Sequence, residues 1–154
     1  MSEDFSPYVL QLSRSVESEL LLKVFSPFSN FTRGNNPNFE NDYCEDLAHN
    51  STKLFAQLVI NNKTSYTLGS MNHILTCLSD DYLVERSKIM NDFYYFIIDN
   101  YSSDMFKEDL LSNLNELLNK YRNKSAHISI ISRDKAADCK FLVRKILTKF
   151  LAMV

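Results

Sequence analysis

The chain has 154 residues, 45% of them hydrophobic, with only two Gly and three Pro, and a formal net charge of −2 at pH 7. That length and apolar content suit one domain over residues 1–154 with a core of its own. The charge excludes a surface that attracts polyanions everywhere, so any nucleic-acid contact has to be focal, and the scarcity of Gly and Pro excludes a fold of many short strands in favour of an all-α bundle of about six helices.

Ser6 and Pro7 make a good helix start, serine as cap and proline at the first helical position, and the run VLQLSRSVESELLLKVF continues it until Pro27 stops it. NFTRGNNPNFEN, over 30–41, holds a Gly, a Pro and five Asn and reads as a loop. From about Glu40 to Ile60 the apolar Leu47, Leu54 and Leu58, flanked by Phe55 and Val59, recur at helical spacing, and NNKTS ends that second helix. Leu68, Met71, Leu75 and Leu78 predict a short third helix, after which Ser79-Asp80 caps a fourth that carries Leu83, Met90, Phe93 and Ile97 and closes at Asn100. A fifth begins near Ser103-Asp104, shows Phe106, Leu110, Leu114, Leu117 and Leu118 on one side, and arrives at Tyr121-Arg122. Ser132 caps the last, with Asp134 in its first turn and Cys139, Leu142, Val143, Ile146 and Phe150 as its apolar stripe.

The opening MSEDFSPYVL carries early acids and no basic lead into an apolar run, so no secretory signal is expected. Cys44, Cys77 and Cys139 are odd in number and unpatterned in spacing, as suits reduced thiols, and no stretch approaches the roughly 18 apolar residues of a membrane span. The expected setting is the cytoplasm, where the sequons at Asn30, Asn50, Asn62 and Asn123 carry no meaning.

One stretch concentrates chemistry. In YRNKSAHISIIS, over 121–132, Arg122, Asn123 and His127 share six positions at the end of an amphipathic helix. On an unbroken helix Arg122 and His127 would point about 140° apart, so a shared site requires the helix to end near Asn123 or the two side chains to meet those of a second copy across a two-fold axis. Such a site suits phosphodiester cleavage. His127 titrates near neutrality and can take a proton from an RNA 2′-hydroxyl or give one to the leaving oxygen. Arg122 stays charged and its planar fork fits phosphate oxygens, while Asn123 can orient substrate or imidazole by hydrogen bonding. The bland account is that Arg122 serves the last carbonyls of its helix and His127 packs on Tyr121.

The segment LNELLNKYRNKSAHIS followed by SRDKAADCKFLVRKIL, together with the opening SRSVESELLLKVF, resembles the HEPN superfamily. The resemblance covers most of the chain in architecture, and its specific motif is Arg122, Asn123 and His127. It implies a four-helix core with accessory helices, a homodimer with a composite cleft, and a metal-independent endoribonuclease of a toxin–antitoxin or phage-defence system, one that leaves 2′,3′-cyclic phosphate and 5′-hydroxyl ends. Arg122 and His127 would then be catalytic and Asn123 supporting, with no cofactor and no metal, and an antitoxin or sensor protein as a further partner. Members paired with a nucleotidyltransferase antitoxin often carry a tyrosine two residues after the histidine; Ser129 stands there. The runner-up is a non-catalytic HEPN-like module that binds a protein or a nucleotide.

The last helix carries Lys140, Arg144, Lys145 and Lys149, with Arg133 near its start. That is a solvated face by default and, if RNA binds, the first choice for contacts to its backbone; DNA is not an expected partner. Tyr121 can stack on a base but more commonly packs. His73 and Cys77, with Cys44 and His49, lack the spacing of a zinc site and read as core or surface residues. Tyr94, Tyr95 and Phe96 read first as a buried bundle face and second as a dimer interface. With only Gly34 and Gly69 a P-loop is excluded.

Overall fold

A computed structural model of the chain describes residues 3–101, 108–122 and 130–151, apart from the side chains of Glu108 and Leu151. Among them the structure is helical throughout, without strands. We number the helices α1 (Ser6–Leu20), α2 (Ser26–Asn35), α3 (Phe39–Asp42), α4 (Lys53–Ile60), α5 (Leu68–Cys77), α6 (Asp81–Arg86), α7 (Lys88–Asn100), α8 (Glu108–Glu116) and α9 (Arg133–Leu151). π-helical turns at Leu21–Phe25 and Leu117–Arg122 continue α1 and α8, and a 3-10 turn occupies Glu45–Ala48.

Four helices close a ring of contacts: α1 packs on α9, α9 on α8, α8 on α5, and α5 back on α1. Their apolar stripes supply the buried side chains of that core, among them Val9, Val16 and Leu20, Leu68, Met71 and Leu75, Leu110 and Leu114, and Cys139, Val143 and Ile146. The start of α5 is fixed from two sides. Thr67 and Ser70 form a capping box, and Glu17 on α1 accepts the Leu68 N–H at 3.0 Å. Beside this ring, Phe25, Phe28, Phe55 and Phe93 pack as edge-on and tilted pairs with centroids 5.0–6.0 Å apart, joining α2, α4 and α7 into a second, aromatic part of the same core.

The third and last helices fall where their stripes and caps place them, and Asp80 caps α6 through the Leu83 N–H as expected. Leu142 and Phe150 are buried with the rest of the α9 stripe, and the Ser132 hydroxyl accepts from Lys135 N at 3.3 Å. Other boundaries differ. Pro27 does not stop the first helix: the backbone widens into the π turn and Pro27 enters the first turn of α2. Proline has no N–H for the carbonyl four residues back, that of Lys23, and the Tyr101 hydroxyl donates to that carbonyl instead. Much of the expected 30–41 loop is accordingly helix, as α2 and α3.

The expected Glu40–Ile60 helix is instead α3, the 3-10 turn and α4, and the fourth helix is cut into α6 and α7 at Ser87. Ser87 caps α7 through the Met90 N–H at 3.2 Å, and one further residue supports both breaks. Asp46, 2% exposed, sends its carboxylate to the start of α7, where it accepts from Ser87 Oγ at 2.6 Å and Ile89 N at 2.9 Å. Its own carbonyl accepts from Thr52 Oγ1 at 2.8 Å, so the turn before α4 is held there. Leu54 is half exposed, while Phe55, Leu58 and Val59 carry the buried face of α4.

Candidate functional site

Arg122 closes the π turn Leu117–Arg122, which packs on both α1 and α9 and so delivers the arginine, half-buried, to one end of the four-helix ring. Asn123 and His127 lie outside the described residues. The chain is next described at Ile130, and it is fastened at once. Phe5 N donates to the Ile131 carbonyl at 3.0 Å and Ile131 N donates to Asp4 Oδ1 at 3.1 Å. Asp4 also accepts from Ser6 N and Oγ, and these bonds hold its carboxyl below the usual range. The described residues on either side of 123–129 are thus tied to the fold, Arg122 within the π turn and Ile131 to the start of α1.

Beside Arg122 the ring of Tyr121 is buried, with Lys120 Nζ 5.5 Å from its centroid, and burial pushes the phenol up. Packing, rather than an open stacking face, is what this tyrosine provides. A shallow cavity of ≈ 280 Å³ opens between α8 with its π turn and α9, lined among others by Lys120, Tyr121, Asp138, Phe141 and Lys145. Phe141, 74% exposed, is the feature the sequence reading passed over. It sits just off the α9 stripe, one position before Leu142, and only the exposure of that face distinguishes it from the core.

Of the expected RNA-contacting residues, Arg133, Lys140, Arg144 and Lys145 are exposed and Lys149 is half-buried, all on α9. None of the five side chains forms an ion pair or hydrogen bond with a described residue, whereas Lys23, Lys88 and Lys120 each sit within 4 Å of a carboxylate four positions away. Lys145 joins the stripe to the cavity beside Tyr121. Glu116, Asp134 and Asp138 intersperse the cations, so the face is mixed rather than uniformly basic.

The other candidates resolve as packing or surface. Cys77 Sγ lies 3.7 Å from His73 Nε2, which also faces the Ser51 carbonyl at 3.2 Å. Among the described residues no group of three or more His, Cys, Asp or Glu is placed to hold a metal ion. Phe96 is buried, but Tyr94 and Tyr95 are exposed at 37% and 56%, so the expected buried aromatic face is only partly one: α7 buries one side and turns two tyrosines outward. No helix among the described residues is long and apolar enough to cross a membrane.

No protein-family model, curated protein or solved structure matches the chain.

Proposed function

We propose that this chain is a HEPN-type endoribonuclease that cleaves RNA with Arg122 and His127 and needs no metal ion. The observation that carries the proposal is the position of Arg122: it ends one helix of a four-helix ring, in a turn packed on α9, whose five cations form no ion pair or hydrogen bond among the described residues. Phosphates drawn to Arg133, Lys140, Arg144, Lys145 and Lys149 would bring an RNA backbone toward that end of the bundle. There His127 takes the proton of a 2′-hydroxyl, the freed oxygen attacks the adjacent phosphorus, and the bond to the 5′ oxygen breaks as that oxygen is protonated. Arg122 holds the phosphate oxygens as charge builds on them, and Asn123 orients the imidazole or the substrate. The products are a 2′,3′-cyclic phosphate and a 5′-hydroxyl. A homodimer would supply two copies of the motif to one cleft, and a nuclease of this kind in a toxin or phage-defence role needs an antitoxin or sensor to silence it.

The test is cleavage of labelled total tRNA in EDTA by the wild type, His127→Ala and Arg122→Ala, with product ends mapped and the fold checked by circular dichroism. Cyclic-phosphate ends that disappear in both variants support the assignment. An inactive wild type that is a well-folded dimer moves the proposal to the non-catalytic interaction module.

A further inference from the structure

The turn that follows α4 has a fixed shape. Asn62 takes φ 50°, the left-handed conformation that asparagine tolerates, while the Lys63 N–H reaches back to the Leu58 carbonyl at 2.9 Å and the Asn62 N–H to that of Val59 at 3.2 Å. Arg33 of α2 donates from Nη1 to the Val59 and Ile60 carbonyls at 3.0 and 3.2 Å, which ties the turn to α2 and covers the negative end of α4 with a cation. Between the turn and α2 lies a cavity of ≈ 180 Å³, lined by the buried Ser29 and Tyr66, the half-buried Ser26, and the exposed Asn62, Lys63 and Thr64. The whole lining falls within the described span 3–101.

Two of its hydroxyls break the pattern of the rest of the fold. Ser29 is 7% and Tyr66 5% exposed, and neither side chain forms a hydrogen bond with a described residue. Elsewhere the helical hydroxyls of Ser13, Thr76 and Thr148 donate to the carbonyl four residues back at 2.7–3.0 Å, and the buried Tyr43 hydroxyl pairs with Thr32 and Asp92. A buried hydroxyl without a partner is costly, so one kept in place points to something else that satisfies it. The Tyr66 ring packs on Phe25 with centroids 5.0 Å apart, and burial raises its phenol, so the hydroxyl stays a donor at neutral pH.

Charge decides the class of ligand. Hydroxyls and amides serve donors and acceptors alike, but Lys63 is the one charged residue of the lining, no carboxylate belongs to it, and Arg33 adds a second cation to the same turn. A cation would meet Lys63 unopposed, whereas an anion accepts from the ammonium and the hydroxyls together. The volume is below the roughly 300–1,000 Å³ of clefts for drug-sized ligands, which suits one functional group. Four hydroxyls, two amides and an ammonium line it, more donors than the roughly four lone-pair sites of a carboxylate take up, while a phosphate group presents at least three strong acceptor oxygens. We propose that the cavity between α2 and the turn after α4 binds a phosphate group, with the Ser29 and Tyr66 hydroxyls and the Lys63 ammonium donating to its oxygens. The phosphate is either the free ion or the end of a phosphate monoester.

The proposal does not depend on ribonuclease activity and is tested apart from it, on the full chain. Inorganic phosphate, AMP, adenosine and acetate are titrated in while the backbone amide resonances of Ser29, Lys63 and Tyr66 are followed. Saturable shifts at those residues are expected for phosphate and AMP at about millimolar concentrations, binding at least about tenfold weaker for acetate, and none for adenosine. AMP no tighter than phosphate assigns the cavity to the free ion; AMP about tenfold tighter assigns it to a monoester. Tyr66→Phe keeps the ring on Phe25 and removes only the unpartnered hydroxyl, so the variant is expected to be as stable as the wild type and to bind phosphate about tenfold more weakly. Lys63→Gln, at an exposed position, is expected to weaken binding by a similar factor. Absence of shifts at the three residues, or shifts along the basic face of α9 alone, would mean that the hydroxyls hold only water and would overturn the proposal. Acetate binding equal to phosphate, adenosine equal to AMP, or either variant binding as the wild type does would overturn it as well.

Discussion

Asp46→Ala strips two donors of their acceptor at once. The Ile89 N–H at the first turn of α7 and the Ser87 hydroxyl both point at the carboxylate, in a place where Asp46 is 2% and Ser87 5% exposed. A buried donor left without a partner costs about 1–3 kcal/mol, although the serine hydroxyl can turn to recover part of it. The variant also removes a negative charge from the positive end of a helix, a further ~0.5–2 kcal/mol in a buried setting. The expected loss is therefore roughly 3–5 kcal/mol, in the range measured when a buried charged network is broken. Asp46→Asn separates the terms. Its amide oxygen keeps the Ile89 N–H and its NH₂ can donate to Ser87 Oγ, so the loss is the charge and the acceptor of the Ser87 O–H, which can turn elsewhere, at about 1–2 kcal/mol in all. Urea unfolding followed by far-UV circular dichroism, with a constant slope, gives both numbers. Ser87→Ala and the double variant add a coupling energy, expected to be large because one hydrogen bond joins the pair. A loss below about 1 kcal/mol for Asp46→Ala, or an asparagine variant as unstable as the alanine one, would refute the reasoning.

Two further outcomes follow from burial. Cys44 is exposed, whereas burial raises the thiol of Cys77 and pushes that of Cys139 to about 11. A thiol reagent at mildly alkaline pH should therefore label one cysteine of the native chain and three of the unfolded one, and rapid labelling of Cys139 in native protein would contradict its place in the α9 stripe. Burial also raises the phenols of Tyr43, Tyr66, Tyr101 and Tyr121 above their ordinary value of 10. Above about pH 10 the unfolded chain has released protons that the folded chain keeps, so stability is full below that pH and falls as pH rises through the folded values. Phenolate absorbance should show these four phenols ionising only as the chain unfolds; ionisation of all eight tyrosines in the native chain would show otherwise.

Helices whose boundaries are set by their own residues were legible. Ser132 and Asp80 cap the helices that follow them, and the stripe from Cys139 to Phe150 is buried as its spacing required. The misplaced boundaries share a different cause: a side chain from far along the chain does a local job. Tyr101, 78 residues from Lys23, serves the carbonyl that Pro27 cannot, so a residue that stops most helices sits inside this one. Ser87 caps α7 locally through the Met90 N–H at 3.2 Å, and Asp46, 41 residues away, accepts from the Ser87 hydroxyl and the Ile89 N–H and so fixes a break that periodicity runs through. Propensity and pattern carry no record of such partners, because the interaction that overrides them forms only after the helices pack.

The same distinction runs through the candidate site. Arg122, Asn123 and His127 are visible as a short motif, since three chemistry-bearing residues within six positions need no fold to bring them near one another, and their promise rests on what a second copy or a turn of the chain adds.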